Sequence, residues 1–160
     1  MTSATTTTNS TAVGVSALNT VTTSTAYNNT AVGHNSAFSV ETANSTTAIG
    51  QQALYSATGS LNTAVGQNAG YHITSGGANT IVGRYNGNQD GLDIRTLSNR
   101  IILSDGDGTI RNYVNNLGFT TVSNDISESS RFNSGASPSH ILHRTGGDIT
   151  AFIENSDANN

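Results

Sequence analysis

The sequence lacks several residue types on which whole classes of proteins depend. It has no cysteine, so disulfide bonds and thiolate metal sites are excluded. It has no lysine, and all six arginines follow residue 83, so no basic cluster is available to neutralise the phosphates of a nucleic acid. No apolar run approaches the roughly 18 residues of a membrane helix. We therefore expect neither a nucleic-acid partner nor membrane insertion.

Large apolar residues are also scarce. Leu, Ile, Val and Phe account for 32 of the 160 residues, a fraction at which highly charged chains are usually disordered. The net charge is only −4, so self-repulsion does not oppose compaction. Such a chain needs another way to bury surface, and repetition and oligomerisation are the simplest ways.

The first half of the chain repeats one short phrase, N-T-A-V-G, with small variations. Its five copies end at glycines spaced 19, 17, 16 and 17 residues apart, namely Gly14, Gly33, Gly50, Gly66 and Gly83. A short, nearly fixed period is typical of stacked architectures in which each unit contacts its neighbours. Thr, Ser, Asn and Gly favour strands and turns over helices. We predict one or two very short strands per repeat, with the glycines in the turns that follow.

Strand alternation divides the phrase between two faces, with Thr and Val on one and Ala and Gly on the other. We expect the aliphatic residues to stack as a buried structural ladder made of Val13, Val32, Ile49, Val65 and Val82. The small alanines would let another layer or chain approach the opposite face. Roughly two large apolar groups per repeat cannot offset the backbone entropy lost when a repeat is ordered. The ladder is therefore expected to pack between chains as well, in a parallel homotrimer.

The repeats over residues 9–87 resemble those of bacteriophage tail fibres and tailspikes, and they are similar to the head repeats of trimeric autotransporter adhesins. Residues 99–119 and 139–153 resemble two β-hairpins of phage fibres. The resemblance implies an all-β, elongated fibrous structure of short stacked strands, a β-solenoid or β-roll in a parallel homotrimer, followed by β-hairpins. It also implies a virion tail protein, with an extracellular or cell-surface location as the alternative.

Composition divides the chain into five segments. They are an N-terminal polar segment (1–8), a repeat stalk (9–87), a β-hairpin module (88–119), a polar linker (120–138) and a C-terminal β-hairpin with its tail (139–160). In the first hairpin, β-rich runs at 100–104 and 109–114 flank an Asp-Gly-Asp-Gly turn signal. The first eight residues lack the basic and apolar regions of a secretory signal peptide.

The sequence offers few groups for catalysis or metal binding. A nucleophile elbow, a phosphate-binding loop and a zinc-binding helix motif are all absent. Two acidic pairs, Asp90 with Asp93 and Asp105 with Asp107, could offer oxygen ligands to calcium, but hairpin turns explain both pairs without a metal. His34 and His72 follow Gly33 and Gly70 in repeat turns and could form three-fold rings at a trimer axis. We predict no enzyme activity, no cofactor and no metal site.

The segment after Gly83 holds all six arginines and nine of the ten acidic residues. Aromatic rings stack on sugars, and polar side chains bond to hydroxyl groups. A receptor is therefore expected to contact Tyr85, Arg111, Tyr113, Phe119 and Phe152. The predicted protein is a structural and adhesive virion fibre that attaches to a host, and its partners are its own copies, other tail proteins and a host surface glycan or protein. The alternatives are a bacterial trimeric adhesin fragment and a purely structural connector without receptor contact.

Overall fold

The structure is a computed structural model that describes residues 9–19, 26–118 and 120–121. These residues form ten short strands and no helix. The strands are β1 (Thr11–Val13), β2 (Thr30–Val32), β3 (Thr47–Ile49), β4 (Thr63–Val65), β5 (Thr80–Val82), β6 (Asn88–Gln89), β7 (Leu92–Asp93), β8 (Ile101–Ser104), β9 (Ile110–Val114) and β10 (Thr120–Thr121). The predicted all-β class is confirmed.

Strands β1 to β5 and β8 lie side by side in parallel, and the chain makes one coil between each strand and the next. Thr30 pairs with Thr47, Ala31 with Ala48, and the equivalent residues pair along the repeats. Unequal repeat lengths are thus absorbed outside the strands. Parallel strands lie about 4.8 Å apart, so the six strands span about 24 Å. This arrangement is the predicted β-solenoid.

The alanine position of the phrase faces the interior of the coils. Ala31, Ala48 and Ala64 are fully buried, and so are Ile81 and Ile102, which occupy the same position in the next two coils. Larger side chains from outside the repeat strands belong to the same core, among them Leu18, Leu54 and Ile73. The interior is therefore filled by small groups from the sheet and larger groups from the rest of each coil.

The repeat glycines form a column in which each backbone packs directly on the next. A Cβ atom at Gly33 would lie 2.6 Å from the carbonyl oxygen of Gly50, and Gly14, Gly50 and Gly66 meet the carbonyl of the following glycine in the same way. Their φ angles lie between 131° and 138°, where side chains are strongly disfavoured. Both backbone geometry and close packing explain why the phrase ends in glycine.

A second column lies immediately before the strands and carries side-chain hydrogen bonds from coil to coil. Asn29, Asn62 and Asn79 are each 1% exposed. The Oδ1 atom of Asn62 accepts the N–H of Asn79 at 3.0 Å, and Oδ1 of Asn79 accepts the N–H of Arg100 at 3.0 Å. Ser10 takes this place at the first coil, where its Oγ accepts the N–H of Asn29 at 3.0 Å. These side chains satisfy buried backbone groups that the strands leave unpaired.

Each coil bends at residues in the left-handed region, which the sequence did not reveal. One set lies two residues after the glycine, with φ between 55° and 58° at Ser16, Asn35, Gln52 and Asn68. The set two residues further on comprises Leu18, Ala37, Leu54 and Gly70, and a third set precedes the strands at Asn28, Ser45, Leu61, Ala78 and Asn99. Most of these residues are not glycine, so stacking must hold them in a conformation that costs about 1–2 kcal/mol each.

The first hairpin continues the solenoid without a break. Strand β8 pairs in parallel with β5 and antiparallel with β9, and β10 adds antiparallel to β9. The strand bounds lie within one residue of the predicted runs. At the turn, Oδ1 of Asp105 accepts the N–H groups of Asp107 at 3.0 Å and Thr109 at 2.9 Å. The second predicted hairpin, residues 139–153, lies outside the described residues.

Candidate interaction surface

The outward face of the parallel sheet carries the aliphatic position of the phrase. We call its six stacked residues the outer ladder: Val13, Val32, Ile49, Val65, Val82 and Leu103. Val13, Ile49 and Val82 are 51%, 40% and 41% exposed, and Leu103 is 45% exposed. The stacking of the predicted ladder is present, but its expected burial is wrong within one chain, because the narrow interior accepts the alanines instead.

Exposed apolar residues are concentrated on this face. Among the described residues, nine large hydrophobic side chains are exposed, and five of them lie here: Val13, Ile49, Val82, Ile101 and Leu103. Threonines alternate with the ladder from β1 to β5, and these strands contain no charged residue. A contiguous apolar patch with no charge is typical of a surface that contacts another molecule.

Two of the predicted receptor residues belong to the core. Tyr85 is fully buried, and its hydroxyl donates to the carbonyl of Leu92 at 2.7 Å. Burial raises the pKa of Tyr85 well above its ordinary value, with the charge of Asp93 adding to the effect. Tyr113 is 4% exposed and lies on β9 opposite the buried Ile102. Neither ring is accessible to a receptor, so both predictions are corrected.

Arg111 is exposed, but its guanidinium pairs with the Asp105 carboxylate. The hydrogen bond from Arg111 holds the pKa of Asp105 below its usual value, and the backbone N–H groups at the turn act in the same direction. This ion pair connects the two sides of the hairpin turn. Phe119 and Phe152 lie outside the residues whose side chains the structure describes, so their predicted receptor contacts stay predictions.

Three of the four carboxylates considered as calcium ligands already serve the fold, and that of Asp105 holds the hairpin turn as described above. Oδ2 of Asp90 accepts the N–H of Ile110 at 2.9 Å, and Asp93 forms a salt bridge to Arg95 at 2.8 Å. A hydrogen bond from Arg95 lowers the pKa of Asp93. Within residues 9–19, 26–118 and 120–121, no group of three or more His, Asp or Glu side chains is placed to hold a metal ion.

A stack of aromatic rings runs along a different side of the solenoid. The centroids of Phe38 and Tyr55 are 4.9 Å apart with nearly parallel rings, and those of Tyr55 and Tyr71 are 5.1 Å apart. His72 meets Tyr71 edge to face at 4.8 Å. This stack was not predicted from the sequence. Its signal was the spacing of 17 and 16 residues between the three rings, which equals the repeat period.

Beyond Tyr71 the surface forms two adjoining hollows that share Asn68 and Asn86, and we call them together the end groove. The first, of about 220 Å³, is lined by Gln52, Asn68, Tyr71, His72 and Asn86. The second, of about 300 Å³, is lined by Asn68, Arg84, Asn86, Gln89 and Asp107. The groove thus combines the rings of Tyr71 and His72 with amide side chains and one charge of each sign.

Hydrogen bonds hold part of the end groove in place. Oε1 of Gln89 accepts the N–H of Asn86 at 3.0 Å, and Oδ1 of Asn86 accepts the N–H of Asn88 at 2.9 Å. The Oδ1 atom of Asn68 is buried beneath the groove surface and has no hydrogen-bond partner within the described part of the chain.

The described residues contain no helix long and apolar enough to cross a membrane. Comparison with known proteins finds no matching family model, no similar curated protein and no similar solved structure.

Proposed function

We propose that this protein is a structural and adhesive fibre subunit, a tail-fibre or tailspike-type component of a bacteriophage virion that helps to attach the particle to its bacterial host. The outer ladder is the observation that carries the proposal. An elongated stack with an uncharged, apolar face along its length suits lateral assembly, whereas a protein that acts alone in water rarely exposes such a face.

The proposed assembly is a parallel homotrimer in which the outer ladders of three chains meet at the common axis. Parallel packing places equivalent coils at the same level, so Val65 of each chain meets its own copies. Each chain would bury its exposed Val, Ile and Leu side chains there, each worth about 1.5–3 kcal/mol when fully buried. The threonines beside the ladder are short enough to allow close approach and can hydrogen-bond across the interface.

We expect Val65→Asp to convert the trimer into a folded monomer. Val65 is half-buried on the outward face, so within one chain the carboxylate reaches water, whereas in the trimer three carboxylates would meet in an apolar interface. Light scattering should change from about three times 16.4 kDa to a single chain mass. Far-ultraviolet circular dichroism should keep its strand signal.

Gln67→Asp is the matched control, because Gln67 is exposed and lies two residues further along the same coil. This variant should remain trimeric with the same mass as the unchanged protein. If Val65→Asp also remains trimeric, the outer ladder is not the subunit interface. A wild-type chain that is monomeric and folded at micromolar concentration would reject the homotrimer altogether.

The place of the protein in a virion can be tested directly. Antibodies against the purified chain should label the tail of phage particles, and the purified trimer should bind host cells and compete with particle adsorption. Labelling of a bacterial surface instead would favour the trimeric adhesin. Labelling of the tail without binding or competition would favour a structural connector.

A further inference from the structure

We propose that the end groove is a saccharide-binding site that takes one or two uncharged sugar units of a surface glycan. This inference rests on the proposed function and names the class of receptor and the residues that contact it. It places the receptor site at the join between the repeats and the hairpin, on Gln52, Asn68, Tyr71 and Asn86, and away from the buried Tyr85 and Tyr113.

The aromatic stack supplies the first requirement of a sugar site. Tyr55 stacks on Tyr71, Phe38 stacks on Tyr55 in turn, and His72 meets Tyr71 edge to face, so the Tyr71 ring is ordered where it lines the 220 Å³ hollow. Pyranose rings present C–H groups that pack on aromatic surfaces, and their oxygen atoms remain available for hydrogen bonds. A ring that is already ordered loses little side-chain entropy when a ligand binds.

The amides supply the second requirement. An amide side chain offers both a donor and an acceptor, which matches adjacent hydroxyl groups on a sugar. Three amides, those of Gln52, Asn68 and Asn86, line the same hollow as Tyr71.

The charges favour a neutral ligand. Arg84 and Asp107 both line the second hollow, so a phosphate or carboxylate attracted by one would be repelled by the other. Each hollow is near or below the lower limit of about 300 Å³ for small-ligand pockets. This size fits a sugar unit at a chain terminus or a short stretch of an extended glycan. It does not fit a buried cofactor.

The direct test uses the full-length chain in its native assembly. Methyl glycosides of glucose, galactose, mannose and N-acetylglucosamine, and neutral oligosaccharides of the same sugars, are screened by saturation-transfer NMR. Affinities of the positive probes are then measured by titration. We expect at least one probe to bind, with saturation transferred from the Tyr71 ring protons.

Two groove variants and one control locate the binding site. Tyr71→Leu removes the tyrosine ring that lines the hollow. Gln52→Asn shortens the side chain, so its amide no longer reaches the hollow, and asparagine still tolerates the left-handed backbone conformation at this position. Each should weaken binding at least tenfold. Tyr27→Leu removes an exposed ring that belongs neither to the stack nor to the groove, so it should change the affinity less than threefold. Binding by none of the probes, or equal losses for Tyr71→Leu and Tyr27→Leu, would overturn the proposal.

Failure of this inference can be told apart from failure of the proposed function. If the chain is a trimer that adsorbs to host cells but Tyr71→Leu adsorbs equally well, the fibre proposal stands and the saccharide site is rejected. If the chain binds a glycoside through Tyr71 but is neither trimeric nor present on a particle, the groove stands and the fibre proposal is rejected.

Discussion

Gly66→Ala should destabilise the solenoid by about 2–6 kcal/mol, and at the upper end of this range it should abolish cooperative folding. Gly66 has a φ of 138°, and an added Cβ would overlap the carbonyl group of Gly83 in the next coil. The unfavourable backbone costs about 1–3 kcal/mol, and forced overpacking typically adds about 1–3 kcal/mol. Relief is difficult because the neighbour is backbone, and moving it would break the hydrogen bonds between β4 and β5.

Gly106→Ala is the matched control in the same chain. Gly106 lies in the hairpin turn, an added Cβ would have nothing within 4 Å, and its φ is not in the left-handed region. We expect its free energy of unfolding to differ from the unchanged protein by less than about 0.5 kcal/mol. Urea denaturation followed by circular dichroism, at equal protein concentrations, measures both variants. Similar stabilities for the two variants would show that the glycine column is not close-packed.

The period of the phrase was enough to predict the architecture. Each of the five repeats contributes one strand, which begins at its Thr and ends at its Val or Ile, because β-branched residues favour strands and the following glycine ends them. Because the repeats have nearly the same sequence, equivalent residues pair with one another in adjacent strands. The pattern could not decide which face of the strands points inward. Alternation places alanine and valine on opposite faces, but both residues are apolar, so either face could be the buried one.

The inward face is decided by volume, which depends on residues far away in the sequence. Leu54 occupies the interior, and in the next coil the equivalent residue is Gly70. A Cβ at Gly70 would lie 2.8 Å from Leu54, 3.1 Å from Ile81 and 3.3 Å from Ile73. Ile81 also replaces the alanine of the earlier coils. Where the sheet position carries a larger side chain, as at Ile81, the facing position elsewhere in the coil carries a smaller one, as at Gly70. This compensation in volume becomes visible only when several repeats are compared in the folded structure.

The assignment of Tyr85 and Tyr113 to a receptor site was wrong for a related reason. Tyr85 was assigned to it because aromatic residues and arginines cluster after Gly83. In the structure the Tyr85 ring fills the core of the fifth coil, while the half-buried aromatic stack lies earlier, in the repeats. Composition locates a chemically distinct segment, but only the fold determines which of its rings reach the surface. The end groove draws on both halves of the chain, with Gln52 from the repeats and Asn86 from the segment that follows them.

Asn62→Asp should destabilise the solenoid by about 4 kcal/mol or more at pH 7, although the two side chains have the same shape. Nδ2 of Asn62 donates to the carbonyl oxygens of Gly59 and Gly76, each at 2.8 Å. A carboxylate would lose both donors, leave the two carbonyls unpaired and bring a buried negative charge against them. Only the hydrogen bond that Oδ1 accepts from Asn79 would remain.

The destabilisation by Asn62→Asp should decrease as the pH is lowered. Burial beside two carbonyl oxygens raises the pKa of the introduced carboxyl in the folded state above its value of about 3.9 in the unfolded chain. The protonated carboxyl can donate one hydrogen bond, so the variant regains part of its lost free energy of unfolding when this group is protonated. This regained stability is fully present below pH 3.9 and is lost as the pH rises through the folded-state pKa. The unchanged protein should behave oppositely and only weakly, because its exposed Asp93 and Asp105 have lowered pKa values.

Asn116→Asp controls for the added charge, since Asn116 is exposed in the turn after β9. Urea denaturation at pH 3.5, 5 and 7, at one protein concentration, should show a large loss of stability for Asn62→Asp at pH 7 that shrinks towards pH 3.5, and little change for Asn116→Asp at any pH. Equal stabilities of the two variants at pH 7 would mean that the buried asparagine column does not join the coils. A loss for Asn62→Asp that is independent of pH would instead place the introduced carboxyl in contact with water.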